Sequence, residues 1–319
     1  DEEYHSTTWI AERAVEEVAT WNDGGNLLMA SFIKPHHPFD PPASWADMYD
    51  PNALHMLPGY ISTPQTQDLT FSRGYFSYNE MTEAKIRRAM AYYYATISQI
   101  DHHVGRLVAL LKDKNLYDNT LILYNSDHGD YMGYHHLLLK GNYMYEPLIR
   151  VPLIVKYPSQ QQAGSICNAL VNSTDCAPTL LQSAGCAVPQ HMAGSDLLDL
   201  PEREFTFAES GSGHSYMIRS QRYKLLWCRD DAHSQLFDLD EDPCELHNLY
   251  ADPSCAQTVS AMKSALAQWA LFNAPSAIHL DEDAPIVRTA NARAHDAGHR
   301  QVMHAYFCLL YTSPSPRDS

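Results

Sequence analysis

The spacing of apolar residues along this chain changes period from one segment to the next. Residues 6 to 20 place Trp9, Ile10, Ala14, Val18 and Ala19 on one side of a predicted helix, and an Asn22-Asp23-Gly24-Gly25 turn follows. Leu27 to Ile33 is an apolar run that predicts a buried strand. It leads into Lys34-Pro35-His36-His37-Pro38-Phe39, where prolines without amide protons stop any ladder and force a loop. The longest periodic stretch is 83 to 112, where Ile86, Met90, Tyr93, Ile97, Ile100, Val104, Leu107 and Leu111 recur three or four apart, as one helix face requires. Thr82 is placed to cap it, Lys112 and Lys114 suit its electronegative end, and Asn115 can terminate it.

Thr120 to Tyr124 predicts a second buried strand, continued by Asn125-Ser126-Asp127-His128-Gly129. After a helical-looking stretch, Val151 to Tyr157 predicts a third. Strands alternating with helices imply an α/β fold with a largely parallel sheet covered on both faces. Ligands bind beyond the carboxyl ends of strands in such sheets, which is where the polar clusters at 34–37 and 125–130 fall. Beyond residue 200, Phe205–Ala208, Met217–Arg219, Tyr223–Trp227 and Gln235–Asp238 are short strand candidates for a small antiparallel sheet, and 256 to 273 has helical spacing. The expected organisation is a main α/β domain over 1–200, a small α+β subdomain over 201–275, and an irregular stretch over 276–307. The final segment, 308–319, resembles a translated adapter sequence, to which no function is assigned.

With 22 basic and 38 acidic residues the formal charge is −16, which disfavours nucleic acid as a partner. A chain this acidic that handles an anion needs local positive charge from a bound cation or placed Lys, Arg and His. The seven cysteines form no C-x-x-C pair, which leaves disulfide pairing open. No apolar run approaches the roughly 20 residues of a membrane-spanning helix. Asp1-Glu2-Glu3-Tyr4 resembles neither a signal peptide nor an initiator sequence, so targeting information is expected to lie elsewhere in a longer polypeptide.

Asp127 and His128 offer a carboxylate oxygen and an imidazole nitrogen at the end of a buried strand, with Gly129 to permit a tight turn. On their own they serve equally well as a strand-end cap beside a solvent-facing imidazole. Their surroundings are more specific: Gly133-Tyr134-His135-His136, Lys140-Gly141, Tyr145-Glu146 and Arg150-Val151-Pro152 follow in order. Ser126 to Ile154 thereby resembles the second signature of the sulfatase family. Asp175-Cys176-Ala177-Pro178-Thr179-Leu180-Leu181 resembles another element of that family. Leu236 to Leu239 with Asp242-Pro243, Glu245 and Asn248-Leu249 resembles its carboxyl-terminal signature.

The resemblance implies an alkaline-phosphatase-like fold, a mostly parallel sheet sandwiched by helices with a small carboxyl-terminal antiparallel sheet. It implies hydrolysis of a small-molecule or carbohydrate sulfate ester, with Asp127 and His128 as ligands of one calcium ion and with His36 and Lys140 as catalytic contacts to the sulfate. His36 matches the family's strand-end histidine, whereas His37 is expected in a solvated loop, which is also the plain alternative for Lys34. A periplasmic or secreted location is implied in the same way. An imidazole is an unusual ligand for calcium, which prefers oxygen donors. Asp130, Tyr134, His136 and Pro147 depart from the family pattern, in positions that bear on substrate preference. The family's Cys or Ser followed by x-Pro-x-Arg, the precursor of its formylglycine nucleophile, does not occur; Cys176-Ala-Pro178-Thr-Leu180 has leucine where arginine is required. The chain is therefore expected to be an inactive fragment. The alternatives are a phosphodiesterase or phosphonate monoester hydrolase of the same superfamily, and a catalytically dead binding homologue.

Overall fold

A computed structural model describes residues 1–71, 80–190, 192–210 and 215–273. The expected irregular region and the terminal tail lie outside these, as do residues 72–79, 191 and 211–214. Residues 1–266 form one compact unit; of a second, from Ala267 onward, only the end of the last helix is described.

The first layer is a pair of helices, α1 (Ser6–Thr20) and the 31-residue α4 (Glu83–Asp113); short helices α2 (Ala43–Ala46) and α3 (Thr66–Phe71) lie between them in sequence. α1 buries Thr7, Ala11, Ala14 and Val18, spaced four, three and four apart. Trp9, expected on the buried face, is instead 61% exposed, with Arg13 over its ring. The small side chains at 11 and 14 face inward because α1 lies directly against α4, where Gln99 Nε2 donates to Thr8 Oγ1 (3.3 Å) and Arg106 pairs with Glu12 (2.6 Å). α4 starts as predicted, with the Thr82 hydroxyl accepting from the Lys85 amide. It ends where Asn115 takes φ +57°, a left-handed conformation that asparagine tolerates.

Two of the three expected strands form. β1 (Ile122–Asn125) and β2 (Leu153–Lys156) pair with each other in antiparallel register, Ile122 opposite Lys156 and Asn125 opposite Leu153. The parallel arrangement expected from the sequence is thus absent among the described residues. Parallel neighbours require a crossover, usually a full helix, whereas the helix between β1 and β2 is the single turn α5 (Glu146–Ile149). Residues 27 to 33 belong to no described ladder, and Leu27, Met29 and Ile33 are 81%, 86% and 64% exposed. No described strand lies beside them to cover these apolar side chains.

α6 (Cys176–Ser183) follows, entered through a buried carboxylate. Asp175, 0% exposed, accepts both arms of the Arg203 guanidinium (2.6 and 2.7 Å) and the amides of Asn172 and Ser195, each at 2.8 Å. Burial pushes its pKa up, but Arg203 and the two amides outweigh burial and hold the carboxyl below its ordinary value. Its stabilising contribution is therefore complete above the unfolded carboxylate range, roughly pH 4, and disappears as pH falls through the lower folded value. Urea midpoints between pH 6 and 2 should show an acid limb that Asp175→Asn flattens; an unchanged limb would remove Asp175 as its source.

The last layer is a four-stranded antiparallel meander, β3 (Thr206–Glu209), β4 (Ser215–Arg219), β5 (Tyr223–Cys228) and β6 (Gln235–Asp238), as the sequence predicts. Its register puts Ser215, Met217, Arg219, Lys224, Leu226, Cys228, Gln235 and Phe237 on one face. Met217, Leu226, Cys228 and Phe237 form a core with Tyr131, Tyr134, Leu137, Tyr143, Met144, Tyr145 and Leu148 of the segment following β1. The opposite face buries Ile218, Leu225 and Leu236, and Lys263 of α7 (Ala256–Asn273) lies over Trp227. The carboxyl-terminal motif closes the sheet: Asp238 pairs with Arg222 (2.6 Å), and the Asn248 amide oxygen accepts from Leu236 N–H (3.0 Å). The six described cysteines are all free thiols, and no described helix is long and apolar enough to cross a membrane.

Candidate active site

β1 ends at Asn125, whose side-chain amide reaches Cys176 Sγ (3.8 Å), and the next residues turn out of the sheet. Asp127 presents an 84%-exposed carboxylate whose Oδ1 accepts from the His128 amide (2.9 Å). His128 Nδ1 lies 2.8 Å from the Gly129 carbonyl. A carbonyl can only accept, so the proton is on Nδ1 and the lone pair is on Nε2. Lys140 Nζ donates to that lone pair (3.1 Å), and Asp127 Oδ2 is 3.6 Å from the same nitrogen.

Gly129 has a different task from the tight turn expected of it. Its amide donates to the Leu148 carbonyl (2.8 Å), and a Cβ at this position would lie 2.0 Å from the Pro147 carbonyl oxygen. Glycine is required because the backbone of α5 packs directly on it.

The loop after residues 27–33 meets this strand end. His36 Nδ1–H donates to the His37 carbonyl (2.7 Å), and the two rings stack with centroids 4.1 Å apart. Burial lowers the His36 pKa, the bond to His37 opposes it, and the positive charges of Lys140, His128 and Lys34 lower it further. His36 thus shares one electrostatic neighbourhood with Lys140 and His128, and as a neutral ring it carries its lone pair on Nε2. His37, expected in a solvated loop, is only 7% exposed, and Lys34 is 8% exposed. Lys34 folds back to donate to the Pro38 carbonyl (2.6 Å) and to pair with Asp40. Burial, reinforced by His36, Lys140 and Lys34, brings the His37 pKa down to about 4.

Asp130 belongs to the same neighbourhood. Burial, helped by Asp127, pushes its carboxyl up to about 6 against the opposing charges of His128 and Lys140. Its only sequence signal is that a carboxylate stands where the family has glutamate. The other departures pack instead. Tyr134 OH donates to Glu245 (3.0 Å), His136 Nδ1 reaches the Ile61 carbonyl (3.1 Å), and Pro147 abuts Gly129. His135 is fully buried, with Nε2 at 2.8 Å from the Cys244 carbonyl.

The exposed Asp127 carboxylate is a suitable donor for a divalent cation, and the His128 Nε2 lone pair becomes a second once it releases the Lys140 N–H. They are two ligands of an ion that takes six to eight when it is calcium, and no group of three or more His, Cys, Asp or Glu gathers into a metal site among the described residues.

Residues 1–186 match the sequence model of the family described as Sulfatase, and residues 133–271 match the model described as N-sulphoglucosamine sulphohydrolase, C-terminal. Among curated proteins, the arylsulfatase of Clostridium perfringens is 29% identical over 83% of this chain and 58% of its own length. The choline-sulfatase of Rhizobium meliloti is 32% identical over 77% and 51%, and the N-acetylglucosamine-6-O-sulfatase of Bacteroides thetaiotaomicron is 33% identical over 54% and 34%. The chain thus spans between a third and three-fifths of these relatives. Among solved structures, the phosphonate monoester hydrolase of Silicibacter pomeroyi superposes with TM-score 0.76 at 22% identity, covering 88% of this chain and 62% of that one. A structure in complex with its substrate D-glucosamine-2-N,6-O-disulfate superposes with TM-score 0.71 at 22% identity, covering 84% and 69%. At these identities the structures show a shared alkaline-phosphatase-like fold.

Proposed function

The chain belongs to the sulfatase family, and on that premise we propose that it carries the sulfate-binding and metal-binding side of a sulfate-ester hydrolase active site. The observation that carries the reading is the convergence of Asp127, His128 and Lys140 at the end of β1, within the field felt by His36. A carboxylate, an imidazole lone pair and an ammonium in one place suit an anion that must be held while charge builds on its oxygens.

Each residue has a definite task. Lys140 has three N–H groups, and the His128 lone pair can take only one of them; the ammonium charge offsets charge on the sulfuryl oxygens. The lowered pKa of His36 favours its neutral form, with the Nε2 lone pair available. A sulfate ester next to that nitrogen favours its protonation, and the acquired proton can bond a sulfuryl oxygen or pass to the departing alkoxide. Asp127 would hold a divalent cation, calcium by family likeness, and His128 would join it through Nε2 once that nitrogen releases the Lys140 N–H; the cation would polarise the sulfuryl group as a Lewis acid. Hydrolysis also needs a nucleophile, and no Cys or Ser of these 319 residues stands before x-Pro-x-Arg. The reading assigns that role to polypeptide outside them.

The substrate class is a sulfate ester of a sugar or another small alcohol, because the relatives are named for sugar, choline and aryl sulfates. The test is to supply a longer polypeptide that contains this chain and the x-Pro-x-Arg element with an aryl sulfate and an aryl phosphodiester. Preferential release of inorganic sulfate is expected.

A further inference from the structure

Four charged side chains meet in the interior away from the candidate site. Lys224, on β5 and fully buried, has its Nζ 2.6 Å from Glu245 Oε1 and 3.3 Å from Glu146 Oε1. Arg219 Nε is 3.2 Å from Glu146 Oε1. The other Glu245 oxygen accepts the Glu146 backbone N–H (2.7 Å) and the Tyr134 hydroxyl (3.0 Å). Two cations thus balance two anions. A buried network of this kind contributes little net stability, because apolar side chains of similar volume do about as well; what it can do is select one geometry.

That geometry leads to the candidate metal ligands by a short covalent and hydrogen-bonded path. Glu146 is the first residue of α5, and the next two, Pro147 and Leu148, present the carbonyls that seat Gly129. The Gly129 carbonyl in turn holds His128 Nδ1–H and so fixes which ring nitrogen carries the lone pair. We propose that Lys224 and Glu245, from the carboxyl-terminal sheet region, are positioning residues for His128, acting through Glu146 and the α5 turn on Gly129. The inference rests on reading Asp127 and His128 as metal ligands.

Two double variants of the whole chain separate positioning from bulk stability. Lys224→Met/Glu245→Gln and Lys224→Met/Glu245→Met both delete the buried ion pair, keep the remaining charges of Glu146 and Arg219 balanced, and preserve volume. Only the first retains an oxygen to accept the Glu146 N–H. Nitrogen-15 spectra of the His128 ring and the Gly129 amide, with Mn2+ broadening of the same signals, report the site, and urea unfolding reports stability. The glutamine variant should keep the wild-type His128 and Gly129 signals. The methionine variant should fold, shift those signals and bind Mn2+ about 10-fold or more weakly, the usual effect of losing a residue that orients a ligand. Identical His128 signals and Mn2+ affinities in the two variants would overturn the proposal. Tyr134→Phe gives an independent arm: it leaves every charge in place but frees one Glu245 contact, so a smaller shift in the same direction is expected, and unmoved signals would contradict the path. Failure of the unmodified chain to show Mn2+ broadening at His128 would refute the metal-ligand reading alone, because the ring shifts report positioning without any ion.

Discussion

Arg203→Ala should lower the stability of the fold by about 3–5 kcal/mol, as removal of one partner from a buried charge pair does. Asp175 is fully buried and spends both oxygens on the guanidinium and on two backbone amides. Without Arg203 the amides remain, but the charge is uncompensated in a place water does not reach. Thr179 Oγ1, which donates to the Asp175 carbonyl and accepts the Leu197 amide, ties the same point to α6, so the loss should spread to that helix. Urea unfolding of Arg203→Ala measures the cost. The double variant Asp175→Asn/Arg203→Met should recover most of it, because the orphaned charge is gone. A loss under about 1 kcal/mol, the range of exposed ion pairs, would mean that the pair is solvated in solution.

Lys140→Ala should reduce sulfate-ester turnover of the longer polypeptide by a factor on the order of 100 or more, comparable to deleting one donor that faces developing negative charge. Lys140 donates to His128 Nε2 at 3.1 Å, so its removal also takes a positive charge from the surroundings of His36 and Asp130. Lys140→Arg keeps the charge but replaces a compact ammonium with a planar fork, and should recover only part of the rate. Steady-state rates on an aryl sulfate check both variants; wild-type turnover in Lys140→Ala would remove Lys140 from the site.

Where the sequence could be read and where it could not has physical causes. The 83–112 helix was legible because one face repeats over many turns, and Thr82 and Asn115 mark its ends as the structure has them. The carboxyl-terminal strands were legible because both faces of that sheet are covered and turn residues separate the strands. Residues 27–33 carry the composition of a buried strand, yet composition does not supply the neighbour that would bury them, and Met29 stands 86% exposed. The direction of β2 relative to β1 was hidden for a similar reason: it depends on the path of a mostly irregular connection that has no period. At the candidate site, Asp127, His128, Lys140 and His36 are proposed from their register in one motif family, and the structure brings Asp127, His128 and Lys140 together. The burial of His37 is not legible because loop residues are usually solvated, whereas here the fold-back of Lys34 onto Pro38 and Asp40 accompanies the burial of both. The roles of Lys224 and Glu245 were beyond the sequence, since Lys224 lies 78 residues from Glu146 and only the folded sheet brings them together.

The central claim is that this strand end serves sulfate-ester chemistry. The most direct measurement is the ratio of kcat/KM for an aryl sulfate to that for an aryl phosphodiester with the same leaving group, in a polypeptide that joins this chain to an x-Pro-x-Arg nucleophile element. A ratio well above one, lost together with turnover in Asp127→Asn, is the predicted result. Turnover of the phosphodiester alone would contradict it.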